Sequence, residues 1–398
     1  MFTQKKDSMG PSRDLNVDLN RDLPILILGA GPAGSTLARI FAEAGYRVDL
    51  HEQRNHLAGN CYDSHDEFGI LRHNYGPHYF RTNSDELLKW LSRFTDWIPG
   101  DYFVKAKINQ QYVPLPVSLT TFEQLKWKEQ IHPATVDDFK NYLSKQIIPM
   151  ENPENAQEQC HSLIGKELYE LLFKNYTIKQ WGLHPKDLSP EVTARLPLRF
   201  NRDERYPSEK HQCLPEKGYT KMFEKILDHS NIQIKLNSSL KGREILGSKK
   251  HFKAIFYTGR IDEFFDFQYE ALSYRSLKFE WIHYANENFK QSCVQYNYPN
   301  DYEFTRSIEA KHITKQQISG TTICYEYPSS TGEPFYPMPI LSEQKKYELY
   351  KKLSIPLEED LDHPLFFIGR LAEYRYYNMD HIFLKAYQLA NTLVSKWN

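Results

Sequence analysis

The sequence predicts an α/β protein: a parallel-sheet βαβ unit near the N-terminus, a mainly helical insert, and a domain built on an antiparallel sheet. Three observations carry this. Residues 23–52 run strand, glycine turn, helix, strand; from about residue 84 apolar positions recur at helical spacing; residues 267–340 are rich in Tyr, Phe, Thr and Val with many turn residues.

The continuous apolar run LPILILG (23–29) reads as a strand covered on both faces. AGSTLARIFAEAG (33–45) places Leu37, Ile40, Phe41 and Ala44 on one helix face, and Gly45 stops it. RVDLHE (47–52) is the second strand. Helical segments follow over 85–97, 121–129, 137–148 and 166–174, separated by polar loops such as ENPENAQEQ (151–159). Residues 231–240 and 250–258 alternate or run apolar, as strands do. LFFIGR (365–370) is a strand, and HIFLKAYQLANTLVSKW (381–397) is a closing amphipathic helix.

A chain of 398 residues is long enough for two or three domains. Fifty Lys and Arg against 51 Asp and Glu leave no basic excess, which argues against nucleic acid as a partner and makes any cationic site local. The five cysteines form no CxxC pair, so neither a disulfide framework nor a zinc knuckle is expected, no metal is called for, and a reducing cytoplasm fits. Residues 1–22 are polar, without the apolar core of a secretory signal, and read as a disordered leader; no stretch suits a membrane span.

Gly29, Gly31 and Gly34 form GxGxxG between the first strand and helix. The first glycine permits the tight turn, the second lets backbone approach a pyrophosphate, and the third lets helix and strand pack closely. Pro32 and Ala33 open the helix, whose free N–H groups and dipole favour an anion. Glu52, 18 residues after Gly34, offers a carboxylate to ribose hydroxyls. These residues ask for a dinucleotide and leave NAD or FAD open.

HEQRNHLAGNCYD (51–63) favours flavin. Glu52, Arg54 and the Gly59–Asn60 turn resemble the second fingerprint of glutathione-reductase-like and amine-oxidase-like flavoproteins, which implies that Gln53, Arg54, Gly59 and Asn60 lie near the FAD phosphates and ribityl chain. Further motifs narrow the resemblance: NYGPHYFRTN (74–83), YTIKQWG (176–182), RLPLRF (195–200), KGYTKMFEKIL (217–227), YTGRIDEFFD (257–266), LSYRSLKFE (272–280), FTRSIEAKH (304–312), EPFYP (333–337) and GRLAEYRYYNMD (369–380). In order, these resemble the motifs of prokaryotic UDP-galactopyranose mutases, from residue 23 nearly to the end.

The resemblance implies an FAD-binding Rossmann-like domain over 23–84, about 208–262 and 360–398, a mainly helical domain over about 85–182, and an antiparallel β-sheet domain over about 183–207 and 263–359. It implies a redox-neutral isomerase that interconverts the six- and five-membered rings of a nucleotide-linked galactose. The FAD must be reduced: its N5 attacks the anomeric carbon and displaces the nucleotide, and the opened sugar recloses through O4 before the nucleotide returns. NADH or NADPH are candidate reductants, and a homodimer is the candidate assembly.

That route needs fixed cations to hold a departing diphosphate, and guanidinium suits them because it stays charged and binds two oxygens at once. Arg195 and Arg306 match the family's diphosphate positions, and Tyr206, Tyr336 and Tyr376 its phosphate-closing tyrosines. Tyr176 and Trp181 are expected near the uridine and sugar, with Asn297 also in the substrate set. His78 matches the histidine beside the isoalloxazine, Arg370 an FAD-proximal arginine, and Tyr377 and Met379 flank the cofactor. The catalytic set implied is His78, Arg195, Arg306, Tyr336, Arg370 and Tyr376. No Ser-His-Asp set is found, and none is required.

Four positions depart from the pattern. Arg81 stands where a second histidine is usual, Ser118 replaces an asparagine, Asn378 an aspartate and Ala58 a glycine. The first three are expected around the sugar, in a pocket made more positive and roomier. Either Arg81 donates to the carbonyl of an N-acetylated sugar such as that of UDP-N-acetylgalactosamine, or it helps hold the diphosphate of UDP-galactose. Two other readings remain open: an amine-oxidase-like enzyme with net hydride transfer, and a non-catalytic FAD or nucleotide binder.

Overall fold

The computed structural model describes residues 23–194 and 197–397, so the leader assigned to 1–22, and Arg195, lie outside the described residues. At its centre is a five-stranded parallel sheet in the spatial order Ile232–Lys235, Val48–His51, Ile25–Leu28, Ala254–Tyr257, Leu365–Phe367. Ile25 pairs with Val48 on one side and Ala254 on the other, and all four residues of that strand are buried, as its unbroken apolar run requires.

Helix Pro32–Glu43 follows directly, with Leu37, Ile40 and Phe41 buried. Its start is pressed against the strand: a Cβ on Gly34 would fall 1.9 Å from the Gly29 carbonyl oxygen, so only glycine fits. The closing helix Met379–Trp397 packs on the same face, where Phe41 and Trp397 stack with centroids 5.5 Å apart.

The insert is less helical than its sequence suggests. The helix expected over 85–97 ends at Leu91, and Trp97–Pro99 is a strand. Strands Val104–Ile108 and Gln111–Leu115 form a hairpin around Asn109, whose φ of 55° makes the turn. The alternation Val104, Ala106, Ile108 has the two-residue period of a half-buried strand. Helices Leu119–Lys126 and Val136–Gln146 lie near their expected positions. The last expected helix follows Gly165, whose φ of 78° is not helical, and before it lies a helical stretch from Ala156 that the sequence reading did not expect, capped by Asn155 accepting from the Glu158 N–H at 3.0 Å. The kink at Gly165 divides the two.

That hairpin completes a seven-stranded sheet in the order Tyr336–Pro337, Tyr274–Tyr284, Thr321–Ser329, Arg306–Ile308, Gln295–Asn297, Val104–Ile108, Gln111–Leu115. All its pairings are antiparallel except Gln295–Asn297 with Val104–Ile108. The segment 267–340 does hold antiparallel strands, and the domain assigned to about 359 ends in helix Leu341–Glu358, which buries Tyr347, Tyr350 and Ser354 at helical spacing.

The strands of the parallel sheet end on one side. The loops after all five open into a single cavity that reaches the seven-stranded sheet, the position at which open α/β sheets bind ligands.

Candidate active site

The cavity encloses about 1160 Å³. Pockets for a single small ligand are about 300–1,000 Å³, so this cavity lies above that range.

One half is built from the glycine turn and the loop after Val48–His51. Glu52 is buried, and its two oxygens accept from the Ala30 N–H at 2.8 Å and the Arg54 N–H at 2.9 Å. The Arg54 guanidinium lies over the Tyr75 ring, 4.4 Å from its centroid, and Nη2 donates to Asn60 Oδ1 and Glu333 Oε2, each at 2.9 Å. Its Nε is buried with no partner among the described residues. Gly31 and Gly59 face each other so closely that a Cβ on Gly59 would lie 3.0 Å from the Gly31 Cα. A close backbone channel, an unspent guanidinium donor and a carboxylate beyond it fit the pyrophosphate and ribose of FAD. Pro32, Ala33 and Gln53 line the same stretch.

His78 stands where this half meets the other. Its Nδ1 lies 3.0 Å from the Gly76 carbonyl, which only accepts, so Nδ1 carries the proton and Nε2 keeps a lone pair. Its backbone N–H donates to His73 Nδ1 at 3.0 Å. Burial, with a smaller contribution from His73, pushes the His78 imidazole down to about 3, so it is neutral near pH 7. Arg370 is fixed by the carbonyls of Phe335 at 3.2 Å and Tyr377 at 2.8 Å, and packs against Tyr336 and Tyr376 with ring-centroid distances of 5.5 and 5.1 Å.

In the other half, Tyr336 and Tyr376 stack at 5.5 Å and Trp181 meets Tyr336 edge-on at 6.2 Å. Arg306 extends from its strand to pair through Nε with the fully buried Glu326 of the neighbouring strand, and its Nη2 lies 3.5 Å from the Tyr336 hydroxyl. Burial works against the Arg306 charge, but the Glu326 carboxylate outweighs it and keeps the guanidinium protonated. Asn297, opposite Arg306 in strand register, accepts from Gln295 Nε2 at 2.7 Å. Tyr176, Tyr206, Tyr377, Asn378 and Met379 also line the wall.

Two expectations about the sugar end change. Ser118 is fully buried and does not line the cavity; it caps helix Leu119–Lys126 by accepting from the Thr121 N–H at 3.3 Å. A short hydroxyl directly before a helix serves the helix first. Arg81 does line the cavity, but Nη1 lies 3.2 Å from Glu209 Oε1, so Glu209 offsets the positive charge expected there. Arg195 cannot be placed, lying outside the described residues.

The sequence reading missed Glu209, Gln180, Tyr75 and Phe335 on the wall, and Glu326 behind Arg306. Only Glu326 left a signal: a lone carboxylate amid TTICYEY, on a strand otherwise apolar or neutral, needs a buried cation.

Comparison with known proteins bears on the family and the fold. The profile of a family described as UDP-galactopyranose mutase matches residues 171–376, and that of an NAD(P)-binding Rossmann-like domain matches 27–94. A probable UDP-galactopyranose mutase from Klebsiella pneumoniae is 36% identical over 379 residues, covering 93% of this chain and 94% of the relative. A dTDP-fucopyranose mutase from Escherichia coli is 33% identical over 378 residues, covering 93% and 98%. A crystal structure of reduced UDP-galactopyranose mutase superposes with a TM-score of 0.73 at 17% identity, over 94% of this chain and 96% of that one.

Proposed function

The chain belongs to the UDP-galactopyranose mutase family, and from that premise we propose that it interconverts pyranose and furanose forms of a nucleotide-linked hexose, with FAD held on the glycine turn and no net oxidation. UDP-galactopyranose is the first substrate to consider, with N-acetylated or deoxy analogues beside it. Reduced FAD, when bound, supplies a nucleophile, N5, for the anomeric carbon.

The residues then divide the remaining work. Arg306, with Arg195 as its partner in the reading, holds the diphosphate while the sugar rearranges. Tyr336, whose hydroxyl lies 3.5 Å from Arg306 Nη2, and Tyr376, stacked on it, serve the same anion in this reading. Arg370, fixed by two carbonyls, offsets negative charge on the cofactor. His78, neutral and with its Nε2 lone pair free of the Gly76 contact, accepts a hydrogen bond without adding charge.

The observation that supports this best is a single space joining two anion sites: the glycine turn with Arg54 at one end, and Arg306 with its tyrosines at the other. An amine-oxidase-like enzyme needs an apolar or amine-binding tunnel, and a buried, carboxylate-held arginine suits neither.

Arg81 favours a second substrate reading. Its remaining guanidinium donors have no acceptor among the described residues, which suits the carbonyl of an N-acetylated sugar. We place the enzyme in the cytoplasm as a homodimer, with NADH or NADPH as reductant.

The test is product analysis of dithionite-reduced protein with UDP-galactopyranose, UDP-N-acetylgalactosamine and dTDP-fucopyranose. Furanose product from one of them, with no stoichiometric reductant consumption, is expected. Net hydride transfer, or UDP binding without any furanose, overturns the reading.

A further inference from the structure

Helix Lys174–Trp181 presents Tyr176, Thr177, Gln180 and Trp181 to the cavity. Lys179 points away from it, into the loop 298–304 that joins strand Gln295–Asn297 to strand Arg306–Ile308. Its ammonium donates to four main-chain carbonyls: Tyr298, Asp301 at 3.0 Å, Tyr302 at 3.1 Å and Phe304 at 3.2 Å. Three N–H bonds serve four acceptors, so at least one is shared. The Asp301 carboxylate turns instead to Lys107, 3.8 Å away, leaving carbonyl dipoles to hold the ammonium.

Two further bonds flank this contact. Asn175 Nδ2 donates to Asn300 Oδ1 at 2.9 Å, and the Thr305 hydroxyl donates to Gln180 Oε1 at 3.3 Å. The loop so gripped is bounded by two cavity residues, Asn297 before it and Arg306 after it.

Resting on the nucleotide-sugar mutase reading, we propose that Lys179 is a positioning residue: it fixes the helix carrying Tyr176 and Trp181 against the loop that presents Asn297 and Arg306, and so sets the width of the nucleotide-sugar site. The Lys179 ammonium is the point at which the four carbonyls converge, and no other cation among the described residues donates to them. Without Lys179 they face one another at a half-buried junction with no protein donor in its place, and the loop loses the contact that holds it to the helix. Arg306 touches the substrate anion in this reading, whereas Lys179 touches none of it. Its effect is on distance, and displacement of a contact by about 1 Å can cost about 10²-fold in rate.

The experiment uses FAD-loaded protein with Lys179→Met and Lys179→Arg, read by titration with UDP or dTDP, whichever the wild type binds, and by flavin content and absorbance. Lys179→Met is expected to weaken nucleotide binding by about tenfold or more with flavin content unchanged. Lys179→Arg, whose five donors can serve the same carbonyls, is expected to restore it to within about threefold. Turnover of the preferred sugar nucleotide should fall in kcat/KM in the same order.

Wild-type affinity in Lys179→Met overturns the proposal, as does an equal loss in both variants. Should Lys179→Met not fold, Asn300→Ala combined with Thr305→Val loosens the junction from both sides and must still weaken the nucleotide by about threefold; an unchanged affinity there also overturns it. A wild type that binds nucleotide but produces no furanose counts against the mutase reading alone.

Discussion

Tyr336 and Tyr376 lie face to face, 5.5 Å apart at an interplanar angle of 14°, with the Arg370 guanidinium against both. Tyr376 is more than a third exposed and Tyr336 less so, so the pair forms one wall of the cavity mouth with the cation behind it. Arg370→Lys keeps the charge but loses the planar contact and one of two carbonyl anchors. A drop in kcat/KM of about 10- to 100-fold is expected from cation–π and hydrogen-bond losses of about 1–3 kcal/mol, with flavin content as the control.

Arg306→Ala should leave FAD bound and remove most activity. Truncating one partner of a buried charged pair costs about 2–5 kcal/mol, equivalent to at least about 30-fold in kcat/KM. The same loss is expected of Arg195→Ala from its motif. Near-normal kcat/KM in either would remove that residue from the diphosphate site.

Glu326→Ala strands a buried guanidinium, and breaking such a pair costs about 3–5 kcal/mol of stability. Glu326→Gln, which can still accept from Arg306, is expected to cost less. Chemical denaturation of the three holoproteins compares them directly. If Glu326→Ala matches the wild type, the pair is not a structural support.

Acid should weaken the fold through two imidazoles. Burial pushes His73 down to about 4 and His78 to about 3, against about 6.5 in an unfolded chain. Between these values the unfolded state binds protons that the native state does not, so stability falls as pH drops below about 6.5 and is fully present above it. Replacing His73 with Gln should flatten the decline measured by guanidinium unfolding between pH 7.5 and 4.5. An unchanged slope would mean other groups dominate.

Ser118→Ala separates cap from site. Loss of an N-cap costs about 1 kcal/mol, so a lower unfolding midpoint with unaltered kcat/KM and substrate preference is expected. A shift in sugar preference would return Ser118 to the pocket.

How far the sequence goes depends on the distance over which each residue acts. The glycine turn is legible because Gly29, Gly31 and Gly34 act through their own backbone, and the Arg306 and Tyr336 motifs because each is short and contiguous. Glu209 is invisible until folding brings it to Arg81, 128 residues earlier. Lys179 likewise looks like a solvated charge until its carbonyls arrive from 119 and more residues downstream. The strand at 104–108 is different: its alternation is plain, but it lies within a run of helical segments and pairs with Gln295–Asn297, far along the chain. Helix Leu341–Glu358 is obscured by Pro356 in its last turn and by a mixed apolar face.

The stack of Phe41 on Trp397 has a consequence for synthesis. Helix Pro32–Glu43 meets this packing partner only when helix Met379–Trp397 exists, and the strand Leu365–Phe367 that closes one edge of the parallel sheet arrives just before it. A nascent chain therefore carries the apolar face of Phe41 incompletely covered until helix Met379–Trp397 has been synthesised. Ribosome-bound fragments ending before residue 365 should bind holdase chaperones, and fragments extended past Trp397 should lose that binding as the sheet and its covering helix are completed.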